Sequence, residues 1–145
     1  MRDAVVVALL AVIWAGTPAQ GLAEIGRIKT VVGSASVTRG KAVSPAIPGF
    51  QLLVNDVLAT GKDGRIGLIF IDNSRFAVGP DSRVALSQFD FDDTTHVGRS
   101  LTELRRGSLA IVSGQIAREN KDAMRVRTPT ALLAARGTRF VVEVR

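Results

Sequence analysis

From Glu24 onward, apolar and polar side chains alternate over short stretches, and Gly, Pro, Asn, Asp and Ser collect between those stretches. A period of two puts every second side chain on one face of a strand, whereas a helix needs a period near 3.6. The clearest stretch is RIGLIFID, Arg65 to Asp72. Ile66, Leu68 and Phe70 fall on one face, while Ile69 and Ile71 make the other partly apolar, so a strand buried on both sides, or nearly so, is expected. RFAV (Arg75 to Val78) and RVALSQFDF (Arg83 to Phe91) repeat the alternation. Ile25 to Val32, Ala35 to Thr38, Val57 to Thr60, Ser108 to Gly114, Met124 to Thr128 and Phe140 to Val144 complete the predicted strands. Leu101 to Arg106 reads as a strand or a helical turn ended by Gly107. Gly40 to Gly49, with prolines at 45 and 48, reads as a loop, and so does the polar stretch Gln115 to Asp122.

Turn chemistry separates these runs: GKDG at 61–64, DNS at 72–74, GPDS at 79–82 and DFDDTTH at 90–96. Asp63, Asp72, Asp81 and Asp90 recur every nine residues. A calcium-binding nonapeptide array would need paired glycines ahead of each aspartate, and these turns lack them. The aspartates read instead as turn formers, whose carboxylates bond backbone two residues on. The expected fold is all-β: a single domain of short strands, solenoid-like or sandwich-like, after an N-terminal signal helix.

One stretch resists the strand reading. RTPTALLAARGTRF, Arg127 to Phe140, has helix formers at its centre and turn residues at its flanks. Pro129 disfavours helical geometry at Thr128, and Gly137 invites a turn. The few residues between them are too few for a helix to form on propensity alone. Ala131 to Ala135 is therefore expected to be extended or in a single irregular turn, with Ala131, Ala134 and Ala135 close to the sheet and Arg136-Gly137-Thr138 as a corner.

The chain's start follows another pattern. Met1-Arg2 gives a short positive segment weakened by Asp3, Ala4 to Ala15 is an uninterrupted apolar run, and Gly16 and Pro18 break it. Gly21-Leu22-Ala23 supplies small residues for cleavage, the layout of a secretory signal peptide over 1–23. The run is shorter than the ~20 residues a membrane span needs. The expected mature domain, 24–145, has no transmembrane segment and lies in the periplasm or outside a bacterial cell. The sequence holds no cysteine, so disulfides, a lipidated N-terminal cysteine and thiolate metal sites are excluded.

Net charge is +6, with the excess at the C-terminal end. Glu24 to Gly98 has eight Lys/Arg and eight Asp/Glu, whereas Arg99 to Arg145 has ten against four. A basic surface raises nucleic acid as a partner. Export and the near-absence of aromatic residues for base stacking argue against it. An acidic protein face or an anionic envelope component fits better.

Enzymatic chemistry has little material. His96 is the only histidine, it sits in an Asp/Thr-rich stretch, and no G-x-S-x-G elbow is present. Asp90, Asp92 and Asp93 offer oxygen ligands without the spacing of a calcium loop. No catalytic, metal or cofactor residue is assigned, and no cofactor is expected.

Three pieces of the mature chain line up with a known family: GRIKTVVGSASVTRG (Gly26 to Gly40), FQLLVNDVLATGKDGRIGLIFIDNSRFAVGPDS (Phe50 to Ser82), and LRRGSLAIVSG leading into VRTPTALLAARGTRFVVEV. Together they resemble the FecR domain, a bacterial periplasmic module. The most specific part is an Arg-x-Thr-Pro-Thr-Ala stretch followed by Arg-Gly-Thr and an aromatic strand. Asn55-Asp56 stands where Gly-Asp is usual, and Asp72-Asn73-Ser74 where Asp-Gly-Ser is usual. Asn tolerates positive φ better than most residues, so both turns are expected to survive. The resemblance implies an all-β, solenoid-like module that binds another protein. In the family's membrane-spanning sigma-factor regulators the domain is preceded by a cytoplasmic segment and a transmembrane helix. Here a cleavable leader is expected instead, so sigma-factor control is not carried over.

The functional expectation is a non-enzymatic module for protein interaction or envelope signal sensing, its partner an envelope protein met through Arg125, Arg127, Arg136 and Arg139. An anionic envelope polymer such as peptidoglycan or lipopolysaccharide is the alternative ligand. An envelope hydrolase comes third, resting on scattered carboxylates and His96.

Overall fold

The computed structural model describes residues 23–135 and 139–145. The expected leader and the Arg136-Gly137-Thr138 corner lie outside the described residues. β1 (Gly26–Val32) and β2 (Ala35–Arg39) flank Gly33-Ser34, and β3 (Ala42–Pro45) and β4 (Gln51–Leu52) follow. β5 (Val57–Thr60) and β6 (Arg65–Phe70) flank GKDG, and β7 (Arg75–Val78) and β8 (Arg83–Phe91) flank GPDS. Then come β9 (Gly98–Val112), α1 (Gln115–Glu119), β10 (Met124–Arg127), β11 (Leu132–Ala134) and β12 (Arg139–Val144).

These strands form one curled, 12-stranded sheet, a half-barrel in which nearly all neighbours are antiparallel. Its logic is a stack of bent rungs. β1 pairs with β6 while β2, the continuation of β1 past Gly33-Ser34, pairs with β5. The next rung repeats this, β6 with β7 and β5 with β8. Both β8 and β7 then pair with the single strand β9, along its first and second halves. The sheet therefore has two walls sharing β9. The first holds β4, β1, β6, β7 and β12; the second holds β3, β2, β5, β8, β10 and β11.

Small and polar residues at the bends make the fold line. The Gly61 amide donates to Ser34 O at 3.0 Å, and the Asp81 amide donates to Gly61 O at 3.0 Å. Thr60 Oγ1 donates to Gly79 O at 2.6 Å and accepts from the Ser82 amide at 2.9 Å. Ser82 Oγ accepts from the Ser108 amide at 3.0 Å, and the Gly79 amide reaches Ser108 O at 3.0 Å. Thr60 and Ser82 are buried, and the column satisfies backbone groups that bending takes out of the ladder.

Period-two patterning sends one face of each wall inward. Ile28, Leu68, Phe76 and Ile111 of the first wall meet Val37, Leu58, Leu86 and Leu104 of the second in one core. Phe70 stacks on Phe89 across the walls, centroids 5.1 Å apart, and meets Phe76 edge-on at 4.6 Å. Each fully buried aliphatic side chain contributes about 1.5–3 kcal/mol, which makes this core the main source of stability.

Several expectations need correction. β6 is fully buried on one face and half-buried at Gly67 and Ile69 on the other, and Ile71 beyond it is 48% exposed. Within the expected loop Gly40 to Gly49 lies β3, whose Pro45 is tolerated because β3 is an edge strand. Gly107 does not end a strand: β9 runs through it at φ +92. Gln115 to Glu119 is a helix rather than loop, because Ile116 is drawn fully into the core. Asp90 lies within β8, opposite Arg99, and forms no turn. Ala131 is exposed, while Ala135 is buried as expected. The extended reading of Leu132 to Ala134 holds, since β11 pairs with β10 through a Thr128–Ala131 turn with Pro129 at its second position. Asn55 (φ +73) and Asn73 (φ +68) both adopt the left-handed conformation expected of them.

A Cβ on Gly107 would lie 2.0 Å from Ser82 Oγ and 2.5 Å from Ser82 Cα, with φ at +92. One on Gly40 (φ +61) would meet nothing within 4 Å. Gly107→Ala is expected to cost about 3–4 kcal/mol in urea denaturation, and Gly40→Ala only about 1 kcal/mol.

Candidate interaction surface

The second wall turns an arginine-rich outer face to solvent. β10 runs parallel to β9, with Met124 opposite Ser100 and Arg127 opposite Glu103. Met124 and Val126 point into the core, so Arg125 and Arg127 point out. On β9 the same alternation sends Ser100, Thr102 and Leu104 inward and Arg99, Leu101 and Glu103 outward. One outer row reads Gln88, Leu101, Arg125, Ala134 across four strands. A cleft of about 320 Å³ opens there, lined among others by Gln88, Arg99, Leu101, Asn120, Arg125 and Arg127.

The charges are only partly compensated. Arg127 Nη1 lies 3.3 Å from Glu103 Oε1, and Arg105 Nη2 lies 3.6 Å from Glu103 Oε2, so one carboxylate serves two guanidiniums. Arg125 Nε donates to the Asp122 carbonyl at 2.9 Å, which fixes the side chain without neutralising it. With both arginines of the Glu103 pairs about half exposed, these contacts are worth little in stability, and the lining sets Arg99, Arg125 and Arg127 against Asp122, which leaves net positive charge around the cleft.

The four predicted arginines do not form one surface. Arg125 and Arg127 share the cleft. Arg139 stands on β12, opposite Val112, on the outer face of the other wall. There it lies one strand beyond Val112 from Arg75, which Val112 also opposes. Arg136 lies outside the described residues. Arg99 was not among the four, because only the parallel pairing of β9 with β10 brings it beside Arg125.

His96 sits at φ +61 with its ring stacked on Phe91, centroids 6.1 Å apart. Among the described residues no hydroxyl or carboxylate hydrogen-bonds to that ring. The Thr94 and Thr95 amides converge on Asp92 Oδ1 at 2.8 and 3.2 Å. These two bonds hold the Asp92 carboxyl below its ordinary value, with a smaller contribution from His96. The arrangement is a capped turn. No cluster of three or more His, Asp or Glu among the described residues is placed to hold a metal. Asp56 and Asp72 are buried, but each is consumed structurally. Asp56 receives Arg39 through two 2.8 Å bonds, and Asp72 receives the Ser74 hydroxyl at 2.7 Å and the Ile116 amide at 3.3 Å.

The sequence model of the FecR protein family matches residues 56–145. The chain belongs to the FecR family. The matched span begins at buried Asp56 and takes in β5 through β12, hence the fold line, shared strand β9 and the arginine face. β1 to β4 lie before it and supply two further rungs in register with the FecR core. The family is a signalling and regulatory one associated with the cell envelope. No curated protein and no solved structure matches the chain. Among the described residues, no helix is long and apolar enough to cross a membrane.

Because the Asp92 carboxyl is depressed, its bonds to the turn persist above the unfolded value and are lost as pH falls through the lower folded value. In an NMR titration the Thr94 and Thr95 amides should shift with a midpoint below 3.8, the ordinary aspartate value. A midpoint at or above it would show that these bonds do not hold the carboxylate.

Proposed function

We propose that this FecR-family chain is a non-enzymatic periplasmic or secreted module that takes part in envelope signal sensing by binding another envelope protein. The contact surface is the cleft between β9, β10 and the 120–123 turn. The observation that carries this reading is the gathering of Arg99, Arg125 and Arg127 around one concave site on the outer wall, with Glu103 the carboxylate paired to Arg127. Guanidiniums suit carboxylate recognition because their fork matches the two oxygens, and exposed Leu132 (52%) beside them adds apolar area. The partner that fits is an acidic face with an apolar centre. Such charges act chiefly on encounter rate and specificity.

An anionic envelope polymer is the second reading, favoured by Gln88 and Asn120 lining the same cleft as the arginines. These amides could bond the hydroxyls of a glycan while the guanidiniums meet its charges. The hydrolase reading finds no nucleophile, base and acid brought together among the described residues.

A pull-down from periplasmic extract separates the walls. Arg125→Ser/Arg127→Ser should lose the partner, about tenfold or more in affinity if both arginines contact it, while Arg75→Ser should retain it. Equal capture by all three proteins would refute the assignment. For the polymer reading, retention on peptidoglycan or lipopolysaccharide should fall steeply with added salt, and retention indifferent to ionic strength would rule out charge-driven binding.

A further inference from the structure

The edges of the sheet differ in how they are blocked. β4 has two residues, β11 has three, and β3 ends on Pro45, which has no N–H to offer. Short edges and prolines are the usual protection against unwanted strand pairing. β12 lacks both: Arg139 to Val144 is six residues with neither proline nor glycine. Among the described residues its one strand partner is β9, so its other edge presents unpaired backbone N–H and C=O groups.

The outward side chains of β12 are Arg139, Val141 and Glu143. Val141, 69% exposed, is more exposed than any other large apolar side chain described. Among the described residues neither Arg139 nor Glu143 joins an ion pair within the chain. A cation stands two residues before Val141 and an anion two residues after it. When such a strand runs antiparallel to a copy of itself with Val141 opposite Val141, Arg139 of each copy faces Glu143 of the other. On the inner face Phe140 then opposes Val142, so the apolar pattern also continues.

Competing registers are penalised. A two-residue slip either way centres the pair on Phe140 or on Val142, breaks both Arg139–Glu143 pairs and sets Val141 against a charge. A four-residue slip centres it on Arg139 or on Glu143 and sets like charges directly opposite, which is destabilising. A parallel, in-register pairing does the same at both positions. The charges thus discourage indiscriminate pairing while permitting one two-fold arrangement, the requirement for a closed isologous dimer.

We propose that the chain dimerises by antiparallel pairing of β12 with β12 of a second copy, centred on Val141, which joins the two first walls into one continuous sheet. The inference stands independently of the arginine cleft, which lies on the other wall.

The absence of cysteine makes a direct test possible on the full chain. Opposed residues in an antiparallel pair have Cα atoms about 4.5–5.5 Å apart, within disulfide reach. Val141→Cys should oxidise to a covalent dimer. Arg139→Cys and Glu143→Cys should each resist cross-linking alone and cross-link when mixed. Arg125→Cys, exposed on the other wall, should form no covalent dimer. In sedimentation equilibrium, Glu143→Arg should weaken the dimer at least tenfold, and Arg139→Glu/Glu143→Arg should restore it, with circular dichroism unchanged in both. A wild type that stays monomeric at roughly 100 µM, a far weaker threshold than specific dimers need, overturns the proposal. So does a dimer indifferent to Glu143→Arg, cross-linking at every position alike, or a β12 edge that accepts a strand only from a different protein.

Discussion

A strand that belongs to two walls must turn between them without surrendering its ladder on either side. β9 does this at Gly107, where φ of +92 bends the backbone and the missing Cβ leaves room for Ser82. Everything else is built on that bend. β8 and β7 lie along one side of β9, and β10 and β12 along the other, so four strands take their position from it. The hydroxyls of Thr60 and Ser82 carry the bend outward to the next rungs by bonding the amides and carbonyls the ladder leaves unpaired. The core fills the space because both walls, bent at one line, turn their apolar faces towards each other.

Much of this was legible in the residues. β7 and β8 have the bounds that alternation and flanking turn residues predict, because strands bounded by Asp, Asn, Ser and Gly carry their limits locally. What failed depended on partners distant in sequence. A glycine at positive φ can stop a strand or bend it, and only the strands lying past Gly107 on both sides decide which. α1 has five residues and no side-chain cap of its own. Its first amides are met by Asp72 and Ser74, some forty residues earlier in the chain. No local propensity reports a helix held that way.

The surface shows the same division. Alternation in β10 is enough to send Arg125 and Arg127 outward together. Arg99 joins them through a parallel pairing that no local signal announces, and Arg139, near them in sequence, pairs within the opposite wall. A charge excess counted along a segment therefore overstates how concentrated the charge is in space. The FecR match covers the part of the chain that fixes this geometry, and the Thr128-Pro129-Thr130-Ala131 stretch becomes the tight turn that closes β10 onto β11.

The rungs differ in how far apart in sequence their partners lie. β8 closes onto β9 as a hairpin from Phe91 opposite Gly98, whereas β1 reaches past β2 through β5 to find β6 and so closes a longer loop. The parallel contact of β10 with β9 is bridged by α1, since a parallel pair cannot close as a hairpin does. The arginine cleft therefore exists only where that non-hairpin contact has formed. A chain in which β10 has not docked on β9 has no such basic face, so the cleft doubles as a mark of that contact.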